Sequence, residues 1–305
     1  MAIAIDALAT PSTPPRRGVR RWLRLNVGVA AGAAIIAVMA LIAALAPVLG
    51  TIDPTRIDPA GRNRKPGIER NVTIASERVA YVHRFGTDSL GRDVYSRTLY
   101  GARVSLAVGL CVPLIAGVLG LAIGLAAGYL RWLDGPAMRV MDAMMAIPGI
   151  LLAIALVSVW GAGLVTVILA IVAPEIPRVV RLVRSVVLSV REQAFVEAAV
   201  AVGTRTHLVL WRHVLPETMA PLIVQGTYIA ATAILVEAIL SFLGIGIPPE
   251  TPSWGNIMAE GRTLFRVQPH NILYPAIFLS LTVLAINLIG DGLRDLLDPR
   301  LARRM

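Results

Sequence analysis

The sequence predicts an all-α integral membrane protein with six transmembrane helices and cytoplasmic N- and C-termini. Three observations carry this. Of the 305 residues 56% are hydrophobic and only 16% charged, with mean hydropathy +0.71, against about a quarter charged in soluble domains. Long apolar runs recur along the chain, each near the ~20 residues that a helix needs to cross a ~30 Å hydrocarbon core. The arginines collect beside those runs instead of spreading over the chain. Disordered and low-complexity chains are excluded by the apolar content.

Taken in order, a basic tail (1–26) precedes the first span, 27–49. Its apolar run exceeds the 7–15 residues of a signal-peptide core, so it reads as an uncleaved anchor. An outer loop follows (50–103), then a five-helix core (104–293) and a second basic tail (294–305). Within the core, Val104 to Leu130, Pro221 to Leu243 and Ile272 to Ile289 are direct readings. Met141 to Ala173 is too long for one span and short for two. Gly161-Ala162-Gly163 reads as a turn there, which gives a third helix and a shorter fourth ending near Pro174 and Pro177. Between the fifth and sixth spans, Trp254, Ile257, Met258, Leu264 and Phe265 have helical spacing; an amphipathic helix on the membrane face or on protein fits, and so does a packed loop.

Arginine placement sets the orientation. The first tail holds Arg16, Arg17, Arg20, Arg21 and Arg24; the segment after the fourth span holds Arg178, Arg181, Arg184, Arg191, Arg205 and Arg212; the last tail holds Arg294, Arg300, Arg303 and Arg304. The positive-inside rule puts all three in the cytoplasm, and four spans followed by two satisfy it. Residues 52–103 also carry arginines, mixed with Asp53, Asp58, Glu69, Glu77, Asp88 and Asp93. Long loops weigh little in this rule, so they are placed outside. The net charge of +10 follows from topology, and no basic stripe interleaved with aromatics points to nucleic acid.

Chemistry of its own is hard to find in the chain. No H-E-x-x-H or G-x-S-x-G occurs, the four histidines lack ligand spacing, and Cys111 is the single cysteine. A Walker A loop needs a lysine behind its glycines; the one lysine, Lys65, is followed by Pro66. Energy from nucleotide must therefore come from another chain. A secondary transporter working without ATP is the alternative. It usually carries charges at mid-membrane, and here the candidates are Asp142, Glu175, Arg178 and Glu237, with Asn287 polar but neutral. Glu237 reads more readily as a packing or lumen-facing carboxylate than as an ion-coupling site. An intramembrane enzyme would need Ser241 as nucleophile, and no His or Lys is placed to activate it. A scaffold subunit is the last rival. Gly120, Gly124 and Gly128 form a double G-x-x-x-G, which lets two helix backbones touch.

The cytoplasmic loop 178–220 is the informative one. Phe195 to Val202 favours helix, Gly203 can end it in the left-handed region, and Thr204 or Thr206 can cap a second helix through Leu208, Leu210 and Trp211 to Leu215, where Pro216 interferes. Such an exposed elbow can seat in a partner's groove and pass motion into the membrane; a plain solvated loop is the competing reading. Glu197-Ala198-Ala199, Gly203 and His213-Val214-Leu215-Pro216 at this spacing resemble the EAA loop of binding-protein-dependent ABC importers. The family pattern usually has Ile where His213 stands, and its peptide branch commonly has His there. Gly86-Thr87-Asp88-Ser89-Leu90-Gly91-Arg92-Asp93, Glu237 to Gly244 with Pro252-Ser253-Trp254-Gly255, and Gly290 to Asp295 with Asp298-Pro299 resemble the second permease of dipeptide, oligopeptide, glutathione or nickel importers. The stretch from about Asn63 to Tyr81 is longer than in many such relatives.

The resemblance implies a type I importer membrane domain in a bacterial plasma membrane. The chain would form half of the pathway for a peptide or similar solute and would be no enzyme. ATP and Mg would bind to two partner ATPase subunits, and no cofactor to this chain. A second, related permease and an external binding protein would complete the assembly. Glu197, Ala198, Ala199, Gly203, His213, Leu215 and Pro216 would make the coupling elbow, with Pro216 ending it. Gly86, Thr87, Asp88, Gly91, Arg92, Asp93 and Trp254 would face the binding protein, and Glu237, Ser241 and Asn287 would be pathway or packing groups.

Overall fold

The computed structural model describes residues 27–74 and 77–297; the basic tails on which the orientation partly rests lie outside the described residues. Helices are α1 (Val27–Leu45), α2 (Val94–Tyr129), α3 (Arg131–Met145), α4 (Gly149–Trp160), α5 (Leu164–Val190), α6 (Ala194–Ala201), α7 (Thr206–Phe242), α8 (Trp254–Gly261) and α9 (His270–Leu297). Four of them, α1, α2, α7 and α9, are long and apolar enough to cross a membrane, and the bent pair α3–α4 makes a fifth if taken as one.

The seam between α2 and α5 organises the core. A Cβ on Gly120, Gly124 or Gly128 would lie 2.5, 2.7 and 2.7 Å from the Cβ of Val179, Val183 and Val187 respectively. Both numbers rise together, so α2 and α5 run in the same direction, and the chain between them must double back. That return leg is α3–α4, whose axes bend by 86° at Ala146-Ile147-Pro148. α4 then runs against α5, with Gly149 on Pro174 and the Gly161–Gly163 turn closing the far end. α1 lies against α9 in the opposite sense, Gly32 at Ala285 and Val29 at Gly292. Val108, Val112, Val167, Val179, Val183 and Val187 build the buried core. Between α2 and α7 lies an open groove of about 530 Å³ with apolar walls, such as Leu106, Pro113 and Leu222. Gly124→Leu should drive a side chain into Val183 and cost about 1–3 kcal/mol or more by overpacking; thermal unfolding in detergent should show it, with partial recovery in Gly124→Leu/Val183→Ala.

Several elements depart from the sequence reading. The segment between the first and second spans is not all irregular: β1 (Ile68–Ile74) pairs antiparallel with β2 (Glu77–His83), Ile68 opposite His83, so the described residues are helical with one hairpin. The second span starts ten residues early, at Val94, because Asp93 caps it, Arg97 is ion-paired with Glu260 and Arg103 donates to the Ala43 carbonyl. The third begins as α3 at Arg131 and breaks at 146–148. The fourth does not end at its prolines: α5 carries Pro174 and Pro177 inside it and runs to Val190, since neighbouring backbone makes up for a proline's missing donor in a membrane helix. Pro216 does not end the elbow either. It sits in the first turn of the helix Leu215–Phe242, where its missing N–H is tolerated, and a π-helical turn at Leu210–Val214 joins that helix to Thr206–Val209 without a break.

Candidate functional site

Two places concentrate polar or exposed groups on a rigid frame, one at each end of the bundle. At one end the 85–93 motif is a folded clasp. Gly86 and Gly91 have φ of +79° and +80°, the left-handed region that glycine enters freely; a Cβ on Gly91 would strike the Asp58 carbonyl. The Thr87 hydroxyl donates to the Gly61 carbonyl at 2.5 Å and accepts from the Arg64 amide at 2.8 Å. Asp88 accepts from the Leu90 and Arg92 amides and from Arg92 Nε at 2.7 Å. Asp93 caps α2, taking the Ser96 amide at 2.8 Å and its hydroxyl at 2.6 Å, and also meets His83 Nδ1 at 2.9 Å and the Tyr81 hydroxyl. Burial and the Asp93 charge push Tyr81 up from its ordinary value.

Arg92 and Arg97 reach across to α8. Both pair with Glu260, and Arg97, 0% exposed, also donates to the Pro249 carbonyl at 3.2 Å. Burial, with Asp88 behind it, pushes Glu260 up against the pull of Arg97 and Arg92. Trp254 is fully buried and donates from Nε1 to the Thr98 carbonyl at 3.0 Å. Ser253 and Asn256 form a capping box at the start of α8. The structure therefore turns Thr87, Asp88, Arg92, Asp93 and Trp254 inward, while Pro249, Glu250 and Thr251 remain open at this end. α8 packs on protein through Trp254 and Ile257. Glu237 is 0% exposed: it accepts from the Ser241 hydroxyl at 2.8 Å, and Ser105 and Ser253 stand beside it. Asn287 lies apart, on the exposed side of α9.

Arg97, Glu260, Ser105 and Asn256 belong to this cluster and escaped the sequence reading. A signal existed for two of them: Ser253-x-x-Asn256 is a capping pattern, and Asp93-x-x-Ser96 marks a helix start ahead of Arg97.

At the other end, α6 and the start of α7 form the elbow. Gly203 has φ +84°; its amide donates to the Val200 carbonyl and that of Thr204 to the Ala199 carbonyl. These two bonds are a Schellman motif, which requires the left-handed residue that glycine supplies. Val196, Val209 and Val214 are buried in the main core and anchor the elbow. Phe195, Val200, Val202, Leu208 and Trp211 point out, Val202 87% and Trp211 72% exposed. Glu197 and Ala198 are exposed in the first helix, Ala199 and Leu215 half-buried, Pro216 exposed, and His213 half-buried with its ring 6.0 Å from that of Phe195. Exposed apolar groups held on a rigid turn suit docking. Among the described residues no group of three or more His, Cys, Asp or Glu could hold a metal.

Comparison with known proteins gives the family and fold of the chain. Residues 118–303 match the family described as binding-protein-dependent transport system inner membrane component. A probable peptide ABC transporter permease protein of Sinorhizobium fredii is 50% identical over 86% of this chain and 85% of its own length. A dipeptide transport system permease protein of Alkalihalophilus pseudofirmus is 40% identical over 94% of this chain and 90% of its own. Among solved structures, the MetNI methionine ABC transporter in an inward-facing conformation superposes with TM-score 0.50 at 19% identity, covering 64% of this chain and 94% of that one.

Proposed function

The chain belongs to the binding-protein-dependent transport system inner membrane component family and is a permease subunit of an ABC importer, and from that premise we propose that its cargo is a short peptide. Relatives named for peptide, dipeptide and glutathione transport support this class. The chain works in the inner membrane and has no ATPase site of its own; ATP and Mg belong to partner subunits.

The observation that carries the mechanism is the elbow: a turn anchored by three buried valines that holds an apolar face clear of the bundle. Two ATPase subunits close on ATP, one under this elbow and one under that of a second, related permease. A rigid anchor passes their movement to α5 and α7, and the cavity turns from inward to outward as a rigid-body rotation. The external binding protein delivers cargo to the outer clasp, whose open residues 249–251 lie above the buried ion pairs. Six crossings fit the helix directions, because α2 and α5 run alike, α3–α4 returns between them, and α1 opposes α9. Cytoplasmic termini then follow the arginines of the elbow segment.

The test is uptake of a labelled dipeptide into vesicles holding the full complex with its binding protein. Import should require ATP and survive an ionophore. Import that the ionophore abolishes, without need of ATP, would make the chain a gradient-driven carrier.

A further inference from the structure

The structure points to where the cargo passes on this chain. α4 has 12 residues, about 18 Å of helix, against a hydrocarbon core of ~30 Å. Its first residue, Gly149, packs on Pro174. The non-helical Ala146-Ile147-Pro148, all exposed, thus sits at membrane depth, level with Glu175. Irregular backbone at that depth survives only where protein covers it or where it borders water.

A second observation meets it there. Arg178 Nη1 pairs with both Glu175 oxygens, at 2.9 and 3.2 Å, and the Arg178 side chain is 45% exposed against 9% for Glu175. One turn on, Arg181 is also 45% exposed and meets Asp142 of α3 at 2.5 Å. Below these, Ser185 and Ser189 are exposed on the same side, while Val179, Val183 and Val187 on the opposite side are buried. Nearer the outer end the exposed residues of the same helix are Val165 and Leu169. By helical spacing Val165 and Leu169 lie on the side opposite Arg178, so the open side of α5 switches from an apolar one to a polar one at the level where α3–α4 breaks. Charged groups in a membrane helix face a water-filled cavity or protein interior.

We propose that the stripe Arg178, Arg181, Ser185 and Ser189 lines the inner half of the translocation path, that the break at 146–148 opens onto its head, and that Arg178 receives the terminal carboxylate of the passing peptide. Within the Glu175–Arg178 pair the guanidinium is the open member, 45% exposed against 9%, and the exposed Asp142 carboxylate beside it is held by Arg181; a carboxylate is the complement of that guanidinium and bonds it in a bidentate fork. The path rests on geometry alone, and the ligand rests on the peptide reading above.

The experiment uses the complete complex in proteoliposomes, with Cys111→Ser as background. Arg178→Cys and Ser185→Cys should react with a charged, membrane-impermeant thiol reagent, at rates that change several-fold when ATP and vanadate trap the complex. Val165→Cys should stay unreactive. Silence at both inner positions, or labelling that nucleotide does not alter, would overturn the path and make this face a static contact with the second permease. The ligand is tested separately. Wild type should carry a free-acid dipeptide in preference to its C-terminal amide, and Arg178→Gln should reduce that preference by about tenfold, the loss of one charge-assisted contact. An unchanged preference overturns the carboxylate assignment. If the wild-type complex carries neither peptide while the labelling pattern holds, the cargo reading falls and the path stands.

Discussion

Arg97→Ala should loosen the whole end of the bundle that carries the 85–93 clasp. The guanidinium is 0% exposed and lies among Glu260 Oε1 at 3.2 Å, Asp88 at 3.8 Å and the Pro249 carbonyl at 3.2 Å. It ties α2 to α8 and to the segment that follows α7. Removing one partner of a buried ion pair leaves the other charged and poorly solvated, which costs about 3–5 kcal/mol. Arg92 stays, but it already serves Asp88 and Glu260 and cannot replace a second fork. The expected result is a fall in unfolding temperature of the purified complex in nanodiscs, with faster proteolysis between α7 and α9. A double-mutant cycle sharpens it. Arg97→Met/Glu260→Gln removes both charges and should be less destabilised than the sum of the two single changes by at least about 1 kcal/mol. Equal stability of Arg97→Ala and wild type would mean that α8 is held by Trp254 and its neighbours alone.

The same arginine explains much of what the sequence did and did not disclose. Hydropathy counts every charge as a break, so the span beginning at Val104 was legible and its first ten residues were not. Arg97 is compatible with burial only because Glu260, 163 residues away, closes on it, and no local window contains both. The hairpin was hidden for a related reason. Ile68, Val72 and Tyr81 are interleaved with Glu69, Arg70 and Asn71, which reads as solvated chain until the two strands are paired. Prolines misled in the opposite sense. Pro174, Pro177 and Pro216 are helix breakers in water, yet here two lie inside α5 and the third at the head of a helix. The elbow was legible because its cause is local: helix formers, one glycine where φ must be positive, and helix formers again. The 86–93 motif was legible as a pattern but not as a place, since nothing in Asp88 or Arg92 says that their side chains turn inward. Gly120, Gly124 and Gly128 announced a close helix contact and left the partner open; only the fold identifies Val179, Val183 and Val187.

At the elbow, two classes of substitution separate the lever from its scaffold. Gly203→Val places a β-branched residue at φ +84°, a conformation that costs such a side chain about 1–3 kcal/mol. The turn escapes the strain by giving up its two Schellman bonds, which swings α6 away from the start of α7. Val202→Glu leaves the turn intact, because that side chain is 87% exposed, and changes only what the elbow presents. A charge set into the apolar centre of a docking face costs about 3 kcal/mol, roughly a hundredfold in affinity. Both variants should insert normally, since the buried anchors Val196, Val209 and Val214 are untouched. Both should lose peptide uptake, and the ATPase subunits should no longer co-purify. Glu197→Arg, reversing the one acidic group in the first turn of α6, should act in the same direction. ATP hydrolysis by the detached subunits would persist without transport, which is the signature of a broken lever and not of a broken motor. Full uptake with wild-type assembly in Val202→Glu and Gly203→Val together would remove the elbow from the mechanism. The work stroke would then have to enter this chain elsewhere, with the junction of α2 and α3 at 129–131 as the next surface to test.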